Sequence, residues 1–241
     1  MHPVLALTLQ AMQSDMSRMD RVAMNLANSQ TPGYKREVAA GGFAQLLEAQ
    51  GAALVHIDQR QGTMKPTGQG LDVALSGPGW FEVATDQGIA YTRMGSFRRD
   101  SQGRLVTEQG HPVAGTAGEI RLPEGPVSID AAGRIFEAVG GEGGFAKSRA
   151  EPVAQLKVVV FEEKAPAQRL GNGLVVFPGA TAAADGRTEI RQGHLENANA
   201  SSMQEMVQLM QTVRHFESMQ KVALGYDEML GNAIRKLGEG Q

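Results

Sequence analysis

The chain has 241 residues, 41% of them hydrophobic and 20% charged, which is enough for one or two packed domains and too apolar for wholesale disorder. Its 23 basic and 26 acidic side chains leave a net charge of -3. That argues against nucleic acid or anionic membrane as the main partner, since both are held by clustered positive charge. Cysteine is absent, so disulfides, zinc–cysteine sites, iron–sulfur clusters and thiol nucleophiles are excluded.

The N-terminal stretch has no Lys or Arg before Arg18 and no unbroken apolar run, so it does not read as a secretory signal peptide. No segment approaches the ~18 apolar residues of a membrane-spanning helix, and membrane insertion is not expected. Glycine is absent before Gly33 and proline is absent after Pro178. Both residues punctuate structure, so the two ends can be long helices while the middle must turn often.

At the N-terminal end Leu5, Leu9, Met12, Met16, Met19, Ala23 and Leu26 recur at alternating spacings of four and three. This predicts a coiled-coil-like helix, with Pro3 in its first turn. It should stop near Asn28, because Pro32 disfavours α conformation at Thr31, and Pro32-Gly33 suits the centre of a type II turn. Residues 35–70 read as a connector, with a short helix at 43–50 and an extended, mobile stretch at 62–70.

The middle reads as short strands at 71–75, 80–84, 89–93, 104–107, 119–122, 127–129, 134–137, 153–161 and 174–177, separated by tight-turn sequences. No helical pattern interrupts them, so an antiparallel β domain is expected rather than an α/β one.

The C-terminal end opens with Ser202 and Glu205 spaced as a capping box. Met206, Leu209, Val213, Phe216, Ala223, Leu230, Ile234 and Leu237 then continue in a 3/4 stripe, for a rod of roughly 50 Å. A second apolar row, Met203, Val207, Met210, Met219, Val222, Tyr226, Met229 and Ala233, widens this surface beyond what one partner helix covers. Nine of the twelve methionines fall in the two terminal helices, and methionine adapts to irregular contacts between copies.

Catalytic signals are weak. Gly141-Glu-Gly-Gly-Phe-Ala-Lys147-Ser148 misses the phosphate-binding loop pattern by one glycine, and a nucleotide-binding enzyme built on it is the different-class alternative. That loop needs a helix directly after it, yet Pro152 and a β-like run follow. His2, His56, His111, His194 and His215 show no paired metal-ligand spacing. Asp72, Asp86, Asp100 and Asp130 sit beside turns, where aspartate bonds to backbone. No catalytic, metal or cofactor site is expected.

Four stretches carry a family likeness. The first is Asn25-Leu26-Ala27-Asn28-Ser-Gln-Thr31-Pro32-Gly33-Tyr34-Lys35; the second is 71–81, from Leu71 to Phe81 around Trp80. The third runs from Tyr91-Thr-Arg-Met-Gly95 through Gly103-Arg-Leu-Val106 to Gly110-His-Pro-Val113. The fourth is Gly193-His-Leu195-Glu196-Asn-Ala-Asn199, followed by Arg214-His-Phe216-Glu217. In this order they resemble the bacterial flagellar basal-body rod and hook family over nearly the whole chain. Trp80, the Gly110 and Arg214 motifs and the length are most similar to the proximal-rod type, with the distal-rod type close behind. Gly225 and the wording after Glu196 depart from the family pattern.

The resemblance implies a non-enzymatic drive-shaft subunit without cofactors, polymerising through its terminal helices to transmit torque. Its partners would be copies of itself, neighbouring rod proteins and the flagellar type III export apparatus, which would carry it to the basal body without cleaving a signal. The expected fold is α+β. Residues 1–34 and 195–241 would form a coiled-coil-like helical rod domain, 35–70 a connector and 71–194 a central antiparallel β-rich domain. Polymer contacts are expected from Leu5, Leu9, Met12, Met16, Met19 and Leu26 on the first helix. Met206, Leu209, Val213, Phe216, Leu230 and Ile234 would supply them on the second.

Overall fold

The computed structural model describes residues 3–39, 55–139, 147–148, 151–162, 165–184, 186 and 188–238. The helix expected at 43–50 and residues 141–146 of the glycine-rich loop lie outside them. The chain divides into two compact units, Met1–Ala27 with Ala200–Gln241, and Asn28–Asn199.

The first unit is a pair of helices, Pro3–Ala27 and Ser202–Gly238, packed on one another. Asn25 meets Glu205 and Asp15 meets His215, so a ten-residue step back along one helix matches a ten-residue step forward along the other. The helices are therefore antiparallel. At 25 residues the first is much shorter than the second at 37.

This pair overturns the coiled-coil-like rod. Each predicted stripe consists of two rows, and only one row of each turns inward. Met12, Met19 and Leu26 are half-buried, as are Leu209, Phe216 and Leu230. The row beside them is largely polar: Thr8, Asp15 and Val22 on one helix, Glu205 and Thr212 on the other, all buried. Knobs-into-holes packing needs both rows apolar, and here one is given over to hydrogen-bonding side chains. The remaining predicted positions, Leu5, Leu9, Met16, Met206 and Val213, are exposed. What stands is the α+β class and the antiparallel β-rich middle.

The second unit is built on a six-stranded antiparallel sheet. Its order is Gln168–Gly171, Leu174–Val176, Gly88–Thr92, Trp80–Thr85, Val158–Val160, Ala183–Ala184. Successive side chains of a strand point to opposite faces, and both faces are covered. Phe81 and Val83 enter a core with Leu75, Leu105, Ile120 and Ile135, while Trp80 enters another with Val159, Phe161, Val175 and Phe177. Trp80 meets Phe177 edge-on with ring centroids 5.4 Å apart, and Phe161 stacks on Phe177 at 4.0 Å.

Shorter pairings surround this sheet. Val73–Ser76 pairs with Glu189–Gln192, Met64–Pro66 with His194–Glu196, and Glu37–Ala39 with Val55–Ile57. The strand expected at 153–161 splits in two. Ala154–Gln155 pairs with Arg134–Val139, and Val158–Val160 crosses to the six-stranded sheet beside Trp80. Of 119–122 only Glu119 is in a strand, although Ile120 and Leu122 still fill the core.

Candidate functional site

Glu196 is the hub of a buried charge cluster. Its Oε1 accepts hydrogen bonds from Lys35 Nζ at 2.6 Å and from the Gly62 amide at 2.7 Å. Its Oε2 accepts from Arg93 Nε at 3.0 Å, with Arg93 Nη2 at 2.9 Å as a further ion-pair contact. The Lys35 and Glu196 side chains are 2% and 1% exposed. Water is shut out of this site, so each charge depends on protein partners.

Those partners are backbone groups of several segments. Lys35 Nζ also donates to the Arg60 carbonyl at 2.8 Å, and Arg93 Nη1 donates to the Gly77 and Gly79 carbonyls at 3.0 and 2.6 Å. Desolvation, reinforced by the Arg93 charge, lowers the Lys35 ammonium to about 8 in spite of Glu196. Burial likewise pushes the Arg93 guanidinium down.

The sequence motifs converge here. Thr31-Pro32-Gly33-Tyr34 forms a turn closed by Tyr34 N–H donating to the Thr31 carbonyl at 3.2 Å, with Gly33 at φ +69°. That φ is the left-handed one a type II turn requires at its third position. A Cβ on Gly33 would fall 2.5 Å from the Arg93 carbonyl group, so the turn also needs glycine for close approach. The Gly33 amide donates to the Glu196 carbonyl at 2.7 Å. Asn199 accepts from the Arg36 amide at 2.6 Å and donates to the Asp58 and Arg60 carbonyls at 2.8 and 2.9 Å. The Arg169 guanidinium lies 4.3 Å from the centroid of the Tyr34 ring and pairs with Glu37.

Of the other motif residues, Leu195 is half-buried opposite Lys65 in its strand pair. Asn28 accepts from the Thr31 amide and hydroxyl at 3.0 and 3.3 Å. In the helical unit Asn25 Nδ2 donates to Glu205 Oε2 at 3.5 Å, Leu26 is half-buried and Ala27 exposed. Asp15 Oδ2 lies 2.6 Å from His215 Nδ1. Sequence reasoning missed Lys35 and Arg93 as partners of Glu196, and Asp15 as a partner of His215. The available signal was a charge inside an otherwise strand-like or helix-facing apolar pattern.

The outward surface of the helical unit has the opposite character. Met203, Met206 and Met210 follow one another at helical spacing and are 77%, 50% and 55% exposed, with Val207 and Val213 beside them. Met16 on the first helix is exposed, with Leu9 a heptad before it. The side chain of Ile234 lies outside the described residues.

Lys147–Ser148 is a strand paired with Ala138 and Val139, and the next described element is the strand Ala154–Gln155. Among the described residues the helix a phosphate loop needs therefore does not follow, and the nucleotide-binding alternative lapses. No described helix is long and apolar enough to cross a membrane. A charge cluster spent wholly on joining segments of its own chain, and an apolar surface turned outward, define a structural subunit.

The comparisons agree. Residues 74–137 match the flagellar hook protein FlgE/F/G D1 domain, and residues 191–236 match the flagellar basal body rod FlgEFG protein C-terminal domain. The flagellar basal-body rod protein FlgF of Salmonella typhimurium is 33% identical over 234 residues, covering 89% of this chain and 90% of its own. FlgF of Escherichia coli matches equally well. FlgG of Agrobacterium fabrum is 28% identical over 268 residues, with 97% and 98% covered. The chain belongs to the flagellar basal-body rod protein family, whose members are structural proteins and not enzymes.

Proposed function

We propose that this chain is a structural subunit of the flagellar rod and transmits torque through contacts made by the outward faces of its terminal helices. The observation that carries the reading is an uncovered apolar surface: the seam takes Met12, Met19, Leu209 and Phe216 beside the buried Asp15, Glu205 and Thr212, and leaves Met16, Met206, Met210 and Val213 in water. An isolated soluble helix pair gains by burying such residues too, because the apolar stripe is what packing should bury. A surface of this kind marks contacts with other molecules. The occupants would be copies of this chain and neighbouring rod proteins, repeated head to tail as heterologous contacts require.

Within the family we assign the proximal-rod, FlgF type. The 33% identity to the FlgF proteins of Salmonella typhimurium and Escherichia coli supports this over the distal-rod, FlgG type, whose relatives stand at 27–30%, although two further FlgF relatives stand at 26% and 28%. Delivery by the flagellar type III export apparatus, without removal of a signal, is part of the same proposal. Deleting the gene and imaging basal bodies by cryo-electron microscopy tests it. A rod truncated near its base is the expected result. A complete proximal segment with the distal segment missing would reassign the chain to the distal type, and an intact rod would refute the proposal.

A further inference from the structure

We propose that the exposed methionines of the helical unit form a reversible oxidation site that controls whether the subunit can join the rod. The inference rests on the interface reading above. The chain holds no cysteine, so every sulfur it offers to an oxidant is a thioether. Among the described residues six of these are at least half exposed, and all six lie on the terminal helices: Met16, Met24, Met203, Met206, Met210 and Met229. By contrast Met64 and Met94, in the other unit, are partly buried.

The chemistry is a two-electron oxygen transfer. The methionine sulfur attacks one oxygen of hydrogen peroxide, an S–O bond forms as the O–O bond breaks, and the departing hydroxide takes a proton to leave as water. Sulfur is oxidised and peroxide is reduced. The product is methionine sulfoxide, polar and chiral where the thioether was apolar, and reducible by dedicated enzymes. On a subunit in solution the new oxygen is hydrated and the fold loses nothing. On closing an apolar contact it must be stripped of water, which is costly without a hydrogen-bond donor. Oxidation therefore weakens association and leaves folding alone. Met203, Met206 and Met210 carry most of the effect, since they occupy two successive turns of one face.

The test uses the full chain, treated with graded hydrogen peroxide and mapped by peptide mass spectrometry, where each sulfoxide adds about 16 Da. The six exposed methionines should oxidise before Met64 and Met94. Self-association, followed by sedimentation velocity, should weaken at least about tenfold as Met203, Met206 and Met210 fill. The thermal melt reported by Trp80 fluorescence should not move, and a methionine sulfoxide reductase should restore association. A variant with leucine at all six positions should associate and ignore peroxide. Unchanged association with those three positions fully oxidised overturns the inference while leaving the interface reading intact. Oxidation of the six at the same rate as Met64 and Met94 also overturns it. An untreated chain whose association is untouched by Met206→Asp removes the interface reading itself, and this inference with it.

Discussion

Glu196→Ala would leave the Lys35 and Arg93 cations facing each other in a site closed to water. An unpaired buried charge is worth about 3–5 kcal/mol of stability, so urea denaturation should show a loss of that size, and a loss below about 1 kcal/mol would contradict the role given to the cluster. Gly62→Ala should damage the same place sterically, because a Cβ there would sit 2.0 Å from the Asn197 carbonyl oxygen. Overpacking of this kind costs about 1–3 kcal/mol or more, measurable by the same denaturation. Lys35 gives a third prediction, with a definite sign. In the unfolded chain it keeps its proton up to about 10.5, whereas in the fold it releases it near 8. Between these values the unfolded chain binds more protons, so this group adds stability as pH rises through that window and changes nothing below it. The urea midpoint of the wild type should gain on that of Lys35→Met between pH 7 and 9.5. A parallel course of the two would refute the lowered value.

At the level of elements, legibility followed the strength of local signals. Both helices were readable because Pro3 and the turn at Pro32-Gly33 bound the first and the second runs through a stretch without proline, whereas Glu205, read as the capping partner of Ser202, bonds Asn25. The rotation of each helix about its axis was not, since apolar periodicity shows which faces are greasy and not which greasy face turns inward. Partner side chains decided that: His215 for Asp15, and Glu205 for Asn25. The hairpin from Trp80 to Thr92 was legible from its turn residues and strand composition, whereas Met64–Pro66, His194–Glu196 and Ala183–Ala184 are too short to show alternation. Asp100 and Asp130 were readable as turn residues and behave alike. Each Oδ1 accepts from the amide two residues on and from the Arg amide four residues on, and each Oδ2 binds that Arg Nε. The Glu196 cluster was only half visible. Its members fall in separate motifs, but segments 161 residues apart, such as Lys35 and Glu196, meet only through tertiary structure.

For the molecule as a whole, what holds the subunit together is separate from what holds it to others. Trp80 belongs to the first group, packed among Phe177, Val159 and Val175, and Trp80→Ala should cost about 3–5 kcal/mol as a large core truncation. Met206 belongs to the second group, half exposed on a helix of the other unit. The most direct measurement pairs thermal melts of purified Trp80→Ala and Met206→Asp with their incorporation into rods in a strain lacking the wild-type gene. Met206→Asp should melt with the wild type and yet fail to enter the rod, because the new carboxylate meets an apolar contact without a partner, while Trp80→Ala should melt well below it. If Met206→Asp enters rods normally and the cells swim, the outward methionine face is not what joins this subunit to its neighbours.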